Sequence, residues 1–166
     1  LFIVPSSMLA TVSALSAQNL GAGKEKRATD TLRYATVITT IYGVIVAVLI
    51  QFIAENVVGI FTSDTTVVTM GSAYIRSYIW DCIFAGIHFS FSGYFAACGK
   101  SYIGFLHNII SITFVRVPGS YLASKYFTDT LYPMGLAAPA GSLVSVAICV
   151  TAFILLKRKS RVAQTA

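Results

Sequence analysis

Five runs of about twenty apolar residues, separated by short polar connections, constrain this chain more than any other feature. Leu1 to Leu20, Tyr34 to Ala54 and Pro133 to Leu156 carry no charge; Ser77 to Gly99 carries one, Asp81, and Tyr102 to Ser124 carries one, Arg116. Crossing about 30 Å of hydrocarbon takes about 20 helical residues at about 1.5 Å each, so every run is long enough to span a bilayer. The chain is 56% hydrophobic and only 11% charged, against about a quarter charged in an ordinary soluble domain. A soluble fold of this size would leave much of that apolar surface facing water. In lipid each backbone group must be satisfied within its own segment unless a barrel closes. Barrel strands would run about 9 to 11 residues and alternate apolar with polar, which these runs do not. They therefore predict helices, in spite of β-branched stretches such as "VITTIYGVIVAVLI". The expected fold is all-α: one polytopic transmembrane helix bundle over residues 1–166, with spans at about 1–20, 34–54, 77–99, 102–124 and 133–156.

The net charge of +6 does not point to nucleic acid, because the basic residues cluster at the ends of apolar runs without interleaved aromatics. They read as topology signals. If the runs alternate in direction, Lys24, Lys26, Arg27, Arg33, Lys100, Lys157, Arg158, Lys159 and Arg161 fall on one side, with Lys125 in the loops of the other. That bias makes the first and third connections and the C-terminus cytoplasmic. The loops "NVVGIFTSDTTVV" and "YFTDTLYP" then face outward, with Tyr78, Trp80, Tyr126, Phe127 and Tyr132 near that boundary as an aromatic belt. The first run starts at Leu1 with no methionine or basic region before it, and reads as a cut edge rather than a signal peptide.

Two charges inside spans need a reason to be there, since each costs at least about 2.5 kcal/mol at the bilayer centre. Asp81 lies roughly 27 Å before the turn at Gly99 and Lys100, and Arg116 roughly 24 Å after it, so the two sit at similar depth on consecutive antiparallel helices. Three readings stay open: a structural ion pair, a cavity-facing Asp81 that binds a proton, Na⁺ or a cationic substrate, and snorkelling of both to the interface. Pro118, directly after Arg116 and Val117, and Pro139 each remove a backbone donor. Each predicts a kink, or a hinge and cavity lined by freed carbonyls. Ala137, Gly141, Ser145 and Cys149 recur every four residues and predict a close-packed helix seam. His88 and His107 lack mutual ligand spacing and read as hydrogen-bonded packing residues. Cys82, Cys98 and Cys149 read as buried small hydrophobes, with no metal site or disulfide framework. The "GAGK" at Gly21 lacks the spacing of a phosphate-binding loop. No cofactor and no enzymatic constellation follow from the residues; an intramembrane enzyme would need a second convergent polar group beside the charge pair.

The stretch "SAQNLGAGKEKRA" ends the first span and starts the second. Gly21 and Gly23 can close a helix with left-handed backbone angles, Gln18 and Asn19 can satisfy its last carbonyls, and Lys24, Lys26 and Arg27 hold the turn on the cytoplasmic side. This stretch resembles the cytoplasmic connection found in each lobe of the multidrug and toxic compound extrusion (MATE) transporters. "FTSDTTVVTMGSAYIRSY", "GYFAACGKSYIGFLHNIISITFVRVPGSYL" and "YPMGLAAPAGSLVSV" resemble the same family in the same order, and together they cover nearly the whole chain. The resemblance implies the eighth through twelfth helices of a twelve-helix, two-lobe transporter in the plasma membrane. It further implies export of organic cations or amphipathic compounds by alternating access in exchange for Na⁺ or H⁺. Asp81 is then the candidate coupling-ion or substrate carboxylate, Arg116 and Pro118 look like the Arg-x-Pro of the eleventh helix, and Gln18, Asn19, Gly21, Gly23 and Lys24 mark the loop motif. The partners implied are membrane lipid, the N-terminal lobe missing from this stretch, without which it should not transport, and a small organic cation, with no nucleic acid. Two alternatives remain: a related flippase of lipid-linked oligosaccharides, expected to line its cavity with more basic residues, and a non-transporting membrane subunit in which Asp81 and Arg116 are only glue.

Overall fold

The computed structural model describes the backbone of residues 1–165 and the side chains of residues 1–158, so Lys159 and Arg161 of the last basic cluster lie outside the described side chains. Those residues are all-helical: α1 (Ile3–Gly21), α2 (Glu25–Gly59), α3 (Thr65–Tyr78), α4 (Asp81–Ala97), α5 (Ser101–Ser111), a π-helical segment (Ile112–Arg116), α6 (Val117–Tyr126), α7 (Tyr132–Gly135) and α8 (Ala137–Thr165). Two stretches, Glu25–Gly59 and Tyr132–Arg158, are each long and apolar enough to cross a membrane.

The helices outrun the apolar runs. α2 begins at Glu25 rather than near Tyr34, because Lys26, Arg27 and Arg33 are good helix formers and the connection needs only Ala22, Gly23 and Lys24. The long loop expected after Ala54 shrinks to Ile60 through Asp64. Asp64 sets its far edge: its Oδ1 accepts the amide N–H groups of Thr66 (2.8 Å) and Val67 (3.3 Å), capping α3. Arg76 adds a second basic residue at that far end and pairs with Glu55 at 3.1 Å.

The Lys-rich turns are closed by backbone chemistry. Ala22 N–H bonds the carbonyl of Gln18, Gly23 N–H that of Leu20 and Lys24 N–H that of Asn19. This is a Schellman closure, with Gly23 in the left-handed region at φ 71°. Gly21 stays within the helix, so only one of the two glycines is used as expected. The final carbonyls are taken by backbone, not by Gln18 or Asn19; the Asn19 amide instead donates to Leu15 O at 2.8 Å. Gly99 (φ 68°) and Lys100 repeat the same closure between α4 and α5.

α4 is the centre of the bundle, with α1, α2, α5 and α8 packed around it. Backbones approach closely at small residues: a Cβ on Gly93 would land on the Leu9 carbonyl, and one on Gly86 would sit 2.5 Å from Thr39 Cβ. Two apolar clusters result. One, with Val12, Leu32, Phe91 and Phe95, lies toward the Lys-rich turns; the other, with Val46, Ile50, Ile79 and Cys82, lies toward the far end. Buried polar groups from α4, α5 and α8 accompany them, including Asp81, His88, Ser90, His107, Ser111, Ser142 and Ser145.

Candidate functional site

Two helix irregularities place the charges. Between α3 and α4 the chain stays right-handed but tightens: Ile79 and Trp80 have ψ of −22° and −23°, and Cys82 and Ile83 donate to carbonyls three residues back. This short 3₁₀ turn delivers Asp81 as the first residue of α4. Across from it, Pro118 has no N–H for the carbonyl of Phe114 and crowds it. The helix responds by widening over Ile112–Arg116, with Val117 N–H reaching Ile112 O five residues back. The kink expected at Pro118 is thus a π-bulge, a feature that often re-aims side chains at functional sites, and Arg116 is its last residue. Pro139 falls in the first turn of α8, where its missing donor would have met Gly135; the break between α7 and α8 at Leu136 sits there.

The guanidinium Nη2 of Arg116 lies 3.4 and 3.5 Å from the two carboxylate oxygens of Asp81 and donates to Ser142 Oγ at 2.6 Å. The Asp81 side chain is 3% exposed and that of Arg116 29%, so the carboxylate does not snorkel. Gly141 makes the approach possible. A Cβ there would stand 2.5 Å from Arg116 Cγ and 2.8 Å from Ser111 Oγ, and the Gly141 carbonyl accepts the Ser111 hydroxyl at 2.6 Å. The small-residue stripe of α8 is therefore the bed on which the arginine stem lies, as well as a packing seam.

From this cluster a polar chain runs into the bundle. Ser142 Oγ is 3.3 Å from His88 Nε2; the His88 and His107 rings meet edge-on with centroids 5.4 Å apart; Ser92 Oγ is 2.9 Å from His107 Nε2. The Nδ1 atoms of both histidines and Arg116 Nε are buried without a hydrogen-bond partner among the described residues. A cavity of about 250 Å³ borders the chain, lined by His88, Ser92, His107 and Asn108 together with Leu9 and Phe105. The carboxylate meets its guanidinium at 3.4 Å and so keeps acceptor capacity for a cation or a proton, while the chain beyond Ser142 is broken where His88 meets His107 by ring contact and not by a hydrogen bond.

Structure thus joins one pair of residues that the sequence put at a common depth and another that it did not relate. Asp81 and Arg116 meet, and His88 and His107, nineteen positions apart, share a contact. Ser142 was not singled out by the sequence; its signal is its place three residues before Ser145, on the buried face of α8. Gln18, Asn19, Gly21, Gly23 and Lys24 lie at the opposite end of the bundle and take no part.

A family model described as MatE matches residues 1–122, which include Asp81 and Arg116 but not Ser142. Protein DETOXIFICATION 14 of Arabidopsis thaliana is 28% identical over 149 residues, an alignment covering 89% of this chain and 30% of the plant protein. The chain therefore spans under a third of the length of that curated relative. No solved structure matches it.

Proposed function

This chain belongs to the MatE family, and from that premise we propose that it is part of the C-terminal lobe of a cation-coupled efflux antiporter. Its spans correspond to about the eighth to twelfth helices of a transporter that exports organic cations or amphipathic compounds by alternating access, driven by Na⁺ or H⁺. The Lys-rich turns face the cytoplasm, in a plasma membrane. Asp81 is the carboxylate whose occupancy changes during the cycle, Arg116 its resident counter-charge, and Ser142 the anchor that keeps Arg116 in place.

The observation that carries this reading is the looseness of the Asp81–Arg116 contact. A charge-assisted N–H···O bond settles at about 2.7 to 2.9 Å; Arg116 comes that close or closer to Ser142, at 2.6 Å, and stays 3.4 Å from Asp81. The carboxylate is neutralised yet keeps unused acceptor capacity, so an entering Na⁺ or proton can compete for it without first breaking a short bond. Once Asp81 is neutralised by that ion, Arg116 stays with Ser142 on α8 and α4 loses its electrostatic tie to the neighbouring helices. The 3₁₀ turn before Asp81 and the π-bulge before Pro118 give both segments a second arrangement to move into.

The outer faces support the same picture. The uncovered side of α1 carries small and polar residues, including Ser7, Ala10, Thr11, Ala14 and Gln18, interspersed with Ile3, Leu9 and Leu15, a mixed face suited to the missing N-terminal lobe. The uncovered side of α2, with Ile38, Ile41, Ile45, Leu49 and Phe52, is suited to lipid. In the full-length transporter reconstituted into vesicles, Asp81→Asn is expected to abolish ion-driven substrate export while protein level and thermal unfolding stay near those of the parent. Export at the parent rate would exclude the coupling role of Asp81.

A further inference from the structure

The Lys-rich end of the bundle carries a feature that the transport reading does not use. α2 and α8 flank α4 there without packing closely on each other, and the gap between them is open. At the level of the turns it forms a cavity of about 170 Å³ whose lining includes Lys100, Lys157, Glu25, Thr29 and Tyr94. Below it the gap continues as a groove of about 350 Å³ lined by Leu32, Thr36, Val37 and Phe91, with Arg33 at its side. Thr29 and Phe153 border both spaces, so the two adjoin there.

From this shape and charge we propose that the gap is a binding site for one anionic phospholipid. The upper cavity offers two ammonium groups against one carboxylate, which suits a phosphodiester of single negative charge; the Tyr94 hydroxyl is a donor for its oxygens, while that of Thr29 already donates to Glu25 O at 3.2 Å. The lower groove is apolar and runs about 12 Å along α2 from Thr29 to Val37, down into the hydrocarbon, where an acyl chain lies. The Lys157 ammonium, 5.1 Å from the centre of the Phe153 ring, stands at the junction of headgroup and chain. A basic pocket between membrane helices at the interfacial level is the general chemistry by which such headgroups are held. A soluble phosphate would leave the apolar groove unfilled, and a protein helix would not call for lysines at its mouth. The site does not depend on which ion drives transport, or on whether Asp81 couples it.

The test is native mass spectrometry of the full-length protein equilibrated with vesicles of equal phosphatidylglycerol and phosphatidylcholine. The parent is expected to retain phosphatidylglycerol preferentially. With about a fivefold effect for each lysine near a membrane surface, the Lys100→Gln/Lys157→Gln variant should lose roughly 25-fold of that preference. Val37→Trp, at a half-exposed groove position with both lysines intact, should also lose it; each variant is first checked for unchanged thermal unfolding. Absence of a preference in the parent, or its survival in the double lysine variant, would overturn the proposal. Its survival in Val37→Trp would reduce the effect to diffuse surface attraction, and cross-linking of Cys98 to a helix of the full-length protein outside residues 1–166 would show that the groove is filled from within. Either result would equally overturn the lipid site.

Discussion

The two ends of α4 are built by opposite rules. At Gly99 the helix stops on a local device: one glycine in the left-handed region, two backbone hydrogen bonds that close the last turn, and a lysine to follow. At Asp81 the chain does not leave the helical region but tightens, and the residue it presents is a carboxylate with 3% of its side chain exposed. Among the described residues the hydrogen bonds to that carboxylate come from another element, the π-bulge, whose Arg116 is held in turn by Ser142 of α8. A terminus fixed by its own backbone depends on a few neighbouring residues, whereas one fixed by tertiary contacts is open to ligands and to change of arrangement. The candidate chemistry lies at the second kind of end.

The contrast is tested most severely by Arg116→Gln, which leaves Asp81 buried without an opposite charge. Removing one partner of a buried pair costs about 3 to 5 kcal/mol, and because the Arg116 side chain is 29% exposed the low end, about 3 kcal/mol, is expected. Asp81→Asn removes the charge that needs a partner and should cost about 1 kcal/mol. The double variant should recover most of the loss seen with Arg116→Gln. Denaturant unfolding of the parent, the two single variants and the double variant in detergent measures this; strictly additive losses would mean that the two groups do not interact, and the two ends of α4 would then differ less than their geometry implies.

A smaller effect should come from Gly141→Ala. Its new Cβ would press on the Arg116 stem and the Ser111 hydroxyl, and overpacking of this kind costs about 1 to 3 kcal/mol. Gly104, also helical, is the control: a Cβ there would meet Ser92 at 3.4 Å, an ordinary contact, so Gly104→Ala should be neutral or slightly stabilising. Equal losses at the two positions, read from thermal unfolding in detergent, would show that the bed under Arg116 is no tighter than any other helix contact.

The same division explains what was legible in the sequence. Helical class, the Lys-rich turns and the shared depth of Asp81 and Arg116 follow from run lengths, glycine placement and a 1.5 Å rise, all properties local to one segment or one hairpin. The pairing of Asp81 with Arg116 was one of three open readings, and what anchors Arg116 was not legible at all. Ser142 reaches Arg116 only because a bulge rotates one helix and a missing Cβ on Gly141 lets the other come close, and neither shows in the periodicity of α8. Pro118 announced an irregularity without telling a kink from a π-bulge. The 3₁₀ turn at Ile79 and Trp80 has no proline or glycine to announce it, so the third run read as one span.

The mildest test sits wholly at the locally built ends. Gly23 and Gly99 have φ of 71° and 68°, with nothing within 4 Å of a would-be Cβ, so an alanine at either meets only backbone strain. That strain is worth about 1 kcal/mol for a residue forced into the left-handed region. Gly23→Ala and Gly99→Ala should each cost about that much, add when combined because the two turns close independently, and leave ion-driven export at the parent rate. Gly21 has equally open surroundings but keeps a helical backbone. Gly21→Ala should therefore be neutral or stabilising, since alanine gives up less chain freedom on entering a helix. If thermal unfolding in detergent showed Gly21→Ala to be as damaging as Gly23→Ala, closure of these turns would depend on contacts beyond the turn itself, and the distinction between the two ends of α4 would fail at its simpler side.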